Sequence, residues 1–299
     1  MITKLEQIVA KVKDAPNKRI VAAYANDAHT IEALCEAYKL DLADATLVGC
    51  EQTIRKVAAE HNFDISNFII FNEPIDSKAA AKAVELVAKG EGDILMKGLV
   101  STDKYMKAIL NKDAGLMSDK ATLTHVTVIE NPNYHKLLVV GDVAILPAPD
   151  LKQKIAITEY LIKTAKKLGI EKPKVAIIGA AENVSLAMPA SIDAAILSKM
   201  SDRGQISGAF IEGPLSIDLA IDMESVQIKG MKNEVAGDAD CLLFPNIEAG
   251  NVFYKTNTKL ANAELAALVM GAKVPCVLSS RGDSAKTKMY SIALAALMV

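Results

Sequence analysis

Ser280 and Arg281 stand side by side in the run Pro275-Cys276-Val277-Leu278-Ser279-Ser280-Arg281-Gly282-Asp283-Ser284, just ahead of an apolar segment that ends at Val299. Arginine presents a planar fork of N–H donors that matches a phosphate or carboxylate, and a serine hydroxyl can donate or accept a hydrogen bond. Val277 and Leu278 read as a short buried strand, and Ala285, Met289, Ile292, Ala293 and Ala296 recur at helical spacing. Asp283 or Ser284 can cap that helix, which leaves backbone N–H groups free to face an anion. A hydroxyl, a guanidinium and a helix N-terminus in one turn point to a site for an oxyanion. The plainer reading is an ordinary helix cap with a surface salt bridge.

Three further loops combine a strand end, a glycine and a polar cap. Met96-Lys97-Gly98-Leu99-Val100-Ser101-Thr102-Asp103 runs from strand into helix, and Lys97 and Lys107 could both meet anionic groups there. A capped helix with solvated lysines explains the same residues. In Phe244-Pro245-Asn246-Ile247-Glu248-Ala249-Gly250-Asn251, Gly250 permits close backbone approach and Asn251 offers both a donor and an acceptor. In Ile211-Glu212-Gly213-Pro214-Leu215-Ser216-Ile217-Asp218, Glu212 and Asp218 bracket a Gly-Pro turn, where two carboxylates could orient a hydroxyl or an arginine, or could simply be solvated.

The elements that must position these loops are short and alternate in type. Apolar runs at 20–24, 46–48, 68–71, 94–96, 126–129, 137–140, 175–178, 209–211, 242–244 and 277–278 are expected strands. Helical patterns separate most of them, among them 77–89, 151–168 and 191–200. Such alternation implies an α/β fold, with mainly parallel sheets covered on both faces. Asn131-Pro132-Asn133 between two strands breaks the rhythm and predicts an antiparallel hairpin. In open parallel sheets ligands sit beyond the carboxyl ends of the strands, where all four loops fall. The two prolines of Leu146-Pro147-Ala148-Pro149-Asp150 mark the expected domain boundary. A long helix capped by Asp150 should come next, ending at Gly169.

Composition excludes several classes. At 51% hydrophobic and 23% charged residues, the chain can bury a substantial core and is not disordered. A net charge of −2, with basic residues dispersed and no Trp, argues against nucleic acid or a membrane surface as partner. No apolar run is long enough to span a bilayer, and no secretory signal is read at Met1–Glu6. Cys35, Cys50, Cys241 and Cys276 lie far apart, as small buried thiols of a reducing cytoplasm would. No phosphate loop, dinucleotide fingerprint or metal-ligand motif is found. Ile177-Ile178-Gly179-Ala180-Ala181-Glu182 comes nearest and lacks the later glycines.

Taken in order, these loops resemble the phosphate acetyltransferase and phosphate butyryltransferase family over nearly the whole chain. The resemblance is carried by Lys97-Gly98-Leu99-Val100, Thr124-His125-Val126, Gly141-Asp142-Val143-Ala144, the block from Asp193 to Ile206, Glu212-Gly213-Pro214-Leu215, Ile247-Glu248-Ala249-Gly250-Asn251 and Ser280-Arg281. The Asp193–Ile206 block and Met96–Val100 look more like the butyryl branch. The resemblance implies two α/β domains around a cleft, an architecture like the isocitrate and isopropylmalate dehydrogenases. Residues 1–149 with 276–299 would form the first domain and 150–275 the second. It implies reversible transfer of a short acyl group between CoA and inorganic phosphate, with both as substrates, no cofactor and no metal. It further implies a cytoplasmic homo-oligomer, a dimer or higher. Ser280, Arg281 and Asp283 would be the catalytic residues. Lys97, Gly98, Ser101, Lys107, Thr124, Glu212, Gly250 and Asn251 would contact CoA or phosphate.

Three positions depart from the acetyl branch. Thr287 replaces an aspartate seven positions after the serine, and a threonine is no general base near neutral pH. Either phosphate needs no base, or Asp283, Glu212 or another carboxylate supplies one. Leu146 replaces an asparagine, and Lys107 replaces an arginine attributed to CoA binding, keeping charge without the fork. Two rival readings are a non-catalytic sensor of acyl-CoA or acyl phosphate, and a metal- and NAD-dependent decarboxylating dehydrogenase on a related fold. The second needs an aspartate cluster and an NAD loop that the chain does not display.

Overall fold

Strands that are apolar throughout must be covered on both sides, and helices that succeed each strand supply the cover. The computed structural model describes residues 1–118, 121–278 and 284–299. They divide into two compact units, 6–123 with 266–299, and 1–5 with 124–265.

After α1 (Leu5–Lys13), the first unit builds β1 (Lys18–Ala23), α2 (Ala28–Lys39), β2 (Ala43–Gly49), α3 (Glu51–Glu60), β3 (Ile69–Asn72), α4 (Asp76–Ala88), β4 (Ile94–Lys97) and α5 (Thr102–Leu110). The four strands are parallel in the order β3-β2-β1-β4. Ile20, Val21, Ala22 and Ala23 of the inner strand β1 are wholly buried. Asp27 begins α2 by accepting from the Thr30 N–H at 2.9 Å, and the Ser101 hydroxyl begins α5.

The second unit opens with the expected hairpin, β5 (Thr124–Glu130) against β6 (Leu138–Gly141), Val126 opposite Gly141. Next come α6 (Leu151–Lys167), β7 (Lys174–Ile178), α7 (Pro189–Asp202), β8 (Phe210–Leu215), α8 (Ile217–Ile221), α9 (Met223–Lys229), β9 (Cys241–Leu243) and α10 (Ile247–Leu260). The order is β5-β6-β9-β7-β8, parallel from β6 onward. Asp150 caps α6 in a reciprocal box: it accepts from the Gln153 N–H at 2.7 Å while Gln153 accepts from the Asp150 N–H at 2.9 Å. Gly169 ends that helix at φ +89°, a conformation glycine adopts without strain. One core of this unit joins Ile129, Val140, Ala176, Leu215, Leu242 and Phe244.

The chain then returns to the first unit through β10 (Glu264–Met270), which runs antiparallel to β11 (Cys276–Val277), and through α11 (Ala285–Met298). β11 lies parallel beside β4.

Three expectations are corrected here. The units divide at 123/124 and 265/266 rather than at 149/150 and 275/276. The proline-bearing turn at 147–149 lies inside the second unit because β6, which precedes it, pairs with β9 and packs under α6. Glu212-Gly213-Pro214 is not a turn but part of β8. That strand is terminal in the sheet order, where a proline without an N–H is tolerated. Lastly, the sequence pattern does not predict β10 as a strand at all.

Candidate active site

The carboxyl ends of the strands can be built up loop by loop, beginning in the first unit. Lys97 closes β4 with only 8% of its surface exposed, and its ammonium donates to the Gly98 carbonyl at 3.2 Å. Gly98 is glycine because the end of β1 leaves no room. A Cβ there would lie 2.5 Å from the Tyr24 carbonyl oxygen and 2.8 Å from that of Ala23. The Gly98 and Leu99 N–H groups donate to the Ala23 and Tyr24 carbonyls, each at 2.9 Å, and Tyr24 turns away at φ 60°. Gly98 therefore locks the Lys97 turn onto β1. Ser101 is the exposed N-cap of α5, accepting from the Lys104 N–H at 3.4 Å. Lys107 is exposed on α5, while Lys104 pairs with Asp76 at 2.6 Å.

In the second unit, Asp142 organises the strand ends. It is 2% exposed, directly after β6, and among the described residues no cation pairs with its carboxylate. Instead it accepts from the Thr124 hydroxyl at 2.7 Å and from the N–H groups of His125 (3.0 Å), Ala144 (2.7 Å), Ile145 (2.9 Å) and Leu146 (3.3 Å). Five donors are enough to solvate a buried carboxylate in place of water. Thr124, expected to touch substrate, has no exposed surface, and its hydroxyl donates a hydrogen bond to Asp142. Gly250 and Asn251 are turned to the same purpose. A Cβ on Gly250 would collide with the Asp142 carbonyl oxygen, and the Asn251 side-chain amide donates to the Val143 carbonyl at 3.0 Å. Both residues clamp α10 to the 142–146 loop, and Leu146 contributes its backbone N–H where the acetyl pattern has a polar side chain.

The two carboxylates expected to work together do not meet. Glu212, half-buried on β8, accepts from its neighbour Gly213 N–H at 2.9 Å and from the Ser198 hydroxyl of α7 at 3.4 Å. Asp218 pairs with Lys229 at 3.3 Å, and Glu182 takes the Ser216 hydroxyl at 2.6 Å and Lys229 at 3.2 Å. Hydrogen bonds from Ser216, then Lys229, hold both carboxyls below their ordinary range.

Ser280, Arg281 and Asp283 lie outside the described residues. Immediately C-terminal to them, Ser284 caps α11, accepting from the Thr287 N–H at 3.1 Å, with the Thr287 hydroxyl 3.1 Å away. Thr287 is thus bound within its own helix turn. In β11, burial pushes the Cys276 thiol up to about 12, and the nearby Tyr105 hydroxyl donates to the Leu95 carbonyl at 3.3 Å. Asp142 organises this loop in a way that residue patterns alone did not assign. For Asp142 the signal was its place after a Gly at a strand end.

Each unit thus has its glycine-bearing turns and buried polar groups at the carboxyl ends of mainly parallel strands. That is the arrangement of an α/β enzyme that handles anionic ligands. Residues 70–296 match the family model described as "Phosphate acetyl/butaryl transferase", and the chain belongs to that family. It is 47% identical to the phosphate butyryltransferase of Clostridium acetobutylicum, covering 100% of this chain and 99% of that one. It is 42% identical to the phosphate acetyltransferase of Thermotoga maritima, covering 98% and 99%. A solved branched-chain phosphotransacylase from Enterococcus faecalis V583 superimposes with TM-score 0.82 at 30% identity, covering 94% and 98%.

Proposed function

We propose that this chain moves a short-chain acyl group reversibly between CoA and inorganic phosphate, with acyl chains longer than acetyl preferred. The observation that carries the reading is the 47% identity, end to end, with a phosphate butyryltransferase. A phosphate oxygen attacks the thioester carbon, the C–S bond breaks, and CoA leaves as a thiolate that takes up a proton from solvent. Phosphate near neutral pH is already a nucleophile, so the protein's main task is to hold it against the thioester. That orientation lowers the barrier by up to about 7–11 kcal/mol. In this reading Arg281 grips phosphate and neutralises charge in the tetrahedral state, and Ser280 donates to the thioester oxygen or departing sulfur. Asp283 is the nearest carboxylate in sequence for any base role. Lys97, Ser101 and Lys107 face the anionic groups of CoA or phosphate, and Glu212 orients a ligand donor.

The same reading takes the two units as two domains of the isocitrate/isopropylmalate dehydrogenase type. The working enzyme is a cytoplasmic homo-oligomer that needs neither metal nor organic cofactor. No helix among the described residues is long and apolar enough to cross a membrane.

Thiol release from acetyl-, propionyl-, butyryl- and isobutyryl-CoA, with phosphate and then arsenate, tests the proposal. Phosphate-dependent release is expected, faster with the four-carbon chains than with acetyl. Binding of acyl-CoA without any phosphate-dependent thiol release would overturn it in favour of a sensor.

A further inference from the structure

Lysines are seldom buried without a partner, because removing an ammonium from water is costly unless an anion faces it. Lys288 is the exception here. It is 6% exposed on α11, and among the described residues no hydrogen bond or ion pair reaches its ammonium. Its backbone N–H is engaged in the helix, donating to the Ser284 carbonyl at 3.1 Å.

Helix geometry says where this side chain goes. Lys286, Met289 and Leu297 mark the solvent side of α11, and Lys288 lies on the opposite face with Ser284 and Ser291. That face looks to the sheet, because the Ser291 hydroxyl accepts from the Ala267 N–H of β10 at 3.0 Å. Side chains on a helix lean toward its N-terminus. Lys288, one turn into α11, therefore leans back toward the helix start, and α11 packs on β11, the neighbour of β4. Lys97 ends β4, one register position beyond the pair Val277 and Met96. No sealed side-chain nitrogen or oxygen among the described residues lacks a partner, so this amine keeps an opening to solvent. Capping the helix dipole cannot be its purpose, since a cation is unfavourable at an N-terminus.

We infer that the Lys288 ammonium is a phosphate-binding cation of the acyl-transfer site, which would receive the free phosphate that attacks and the phosphoryl group of the acyl phosphate formed. The inference rests on the proposed activity. Phosphate groups of CoA share this chemistry, and the test separates the two sources.

Lys288→Met keeps the length and apolar stem while removing the charge. It should raise the KM for phosphate about ten- to a hundredfold, the worth of a hydrogen bond to a charged group. The KM for butyryl-CoA should stay within about twofold, as expected when only phosphate loses a partner. Lys288→Arg should recover most of the loss. Inorganic phosphate alone should raise the melting temperature of the unaltered protein but not of Lys288→Met. In the unaltered protein, phosphate should also slow modification of Lys288 by a small amine-acylating reagent, read by mass spectrometry, which serves if the variants do not fold. A folded Lys288→Met with unchanged phosphate KM, or Lys288 modification unaffected by phosphate, would overturn the inference. So would a loss confined to the KM for butyryl-CoA, which would hand the amine to CoA. If the unaltered protein releases no CoA from any acyl-CoA, the proposed activity fails by itself. The phosphate melting shift and protection then still decide Lys288: present and Lys288-dependent, they uphold it; absent, they end it.

Discussion

The two ends of the second unit's sheet neutralise buried charge in opposite ways. At the amino ends of β6, β9 and β7, carboxylates meet cations. Lys136 pairs with Asp238 at 2.8 Å and with Asp240 at 2.7 Å, Lys174 pairs with Asp238 at 2.7 Å, and His135 lies 2.9 Å from Asp238. At the carboxyl ends, Asp142 is satisfied by a hydroxyl and four backbone N–H groups. Ion pairs join side chains and leave loops free to vary. Backbone donors instead bend the main chain around one carboxylate and specify the loop's path. The first device only has to hold, and the second also fixes the shape of a loop.

Variants at each end can break or sharpen this contrast. Arg281→Ala, in the segment that precedes α11 in the first unit, should lower kcat/KM for phosphate by about three orders of magnitude while the melting temperature stays put, as loss of an oxyanion donor does. Near-normal turnover in that variant would remove Arg281 from the chemistry. Asp142→Ala strands several buried donors at once and should cost about 3–5 kcal/mol in urea unfolding, with activity falling alongside. Lys136→Met at the opposite end should cost about 3 kcal/mol by leaving the buried Asp240 carboxylate without its cation, yet leave the phosphate and butyryl-CoA KM values alone. A matching loss of activity there would erase the distinction between the ends. Gly250→Ala pushes a methyl into the Asp142 carbonyl and should cost about 1–3 kcal/mol, with a measurable fall in kcat.

The smallest effect is in pH. Burial alone would raise the Asp238 carboxyl, but Lys136 and Lys174 overcome it and bring it down to about 2. A depressed carboxyl stabilises the fold above its unfolded value of about 4 and ceases to as pH falls through about 2. Lys136→Met should therefore shift the acid unfolding midpoint to higher pH. An unchanged midpoint would show that Lys174 suffices.

How much was legible beforehand depended on how local the cause was. Asp150, Gly169 and the Asn131-Pro132-Asn133 hairpin announce themselves because capping and turn chemistry act within a few residues. Glu264-Leu265-Ala266-Ala267-Leu268-Val269-Met270 does not read as a strand, since Glu, Ala, Leu and Met favour helices. Pairing with β11 and burial of nearly the whole segment override that preference. Pro214 likewise suggests a turn, and only the terminal position of β8 permits it in a strand.

By itself, the order of residues determined the α/β class, the loops that carry polar chemistry and the family to which the chain belongs. Each of those stems from short-range pattern or from motif identity. What each glycine and polar residue in those loops packs against came only from the tertiary structure. Beside Gly98, Thr124, Gly250 and Asn251, expected to meet a ligand, folding places another stretch of this same chain. A free volume or a free hydrogen bond is a property of everything around a residue, so it does not exist until segments more than a hundred positions apart, such as Val143 and Asn251, are packed together.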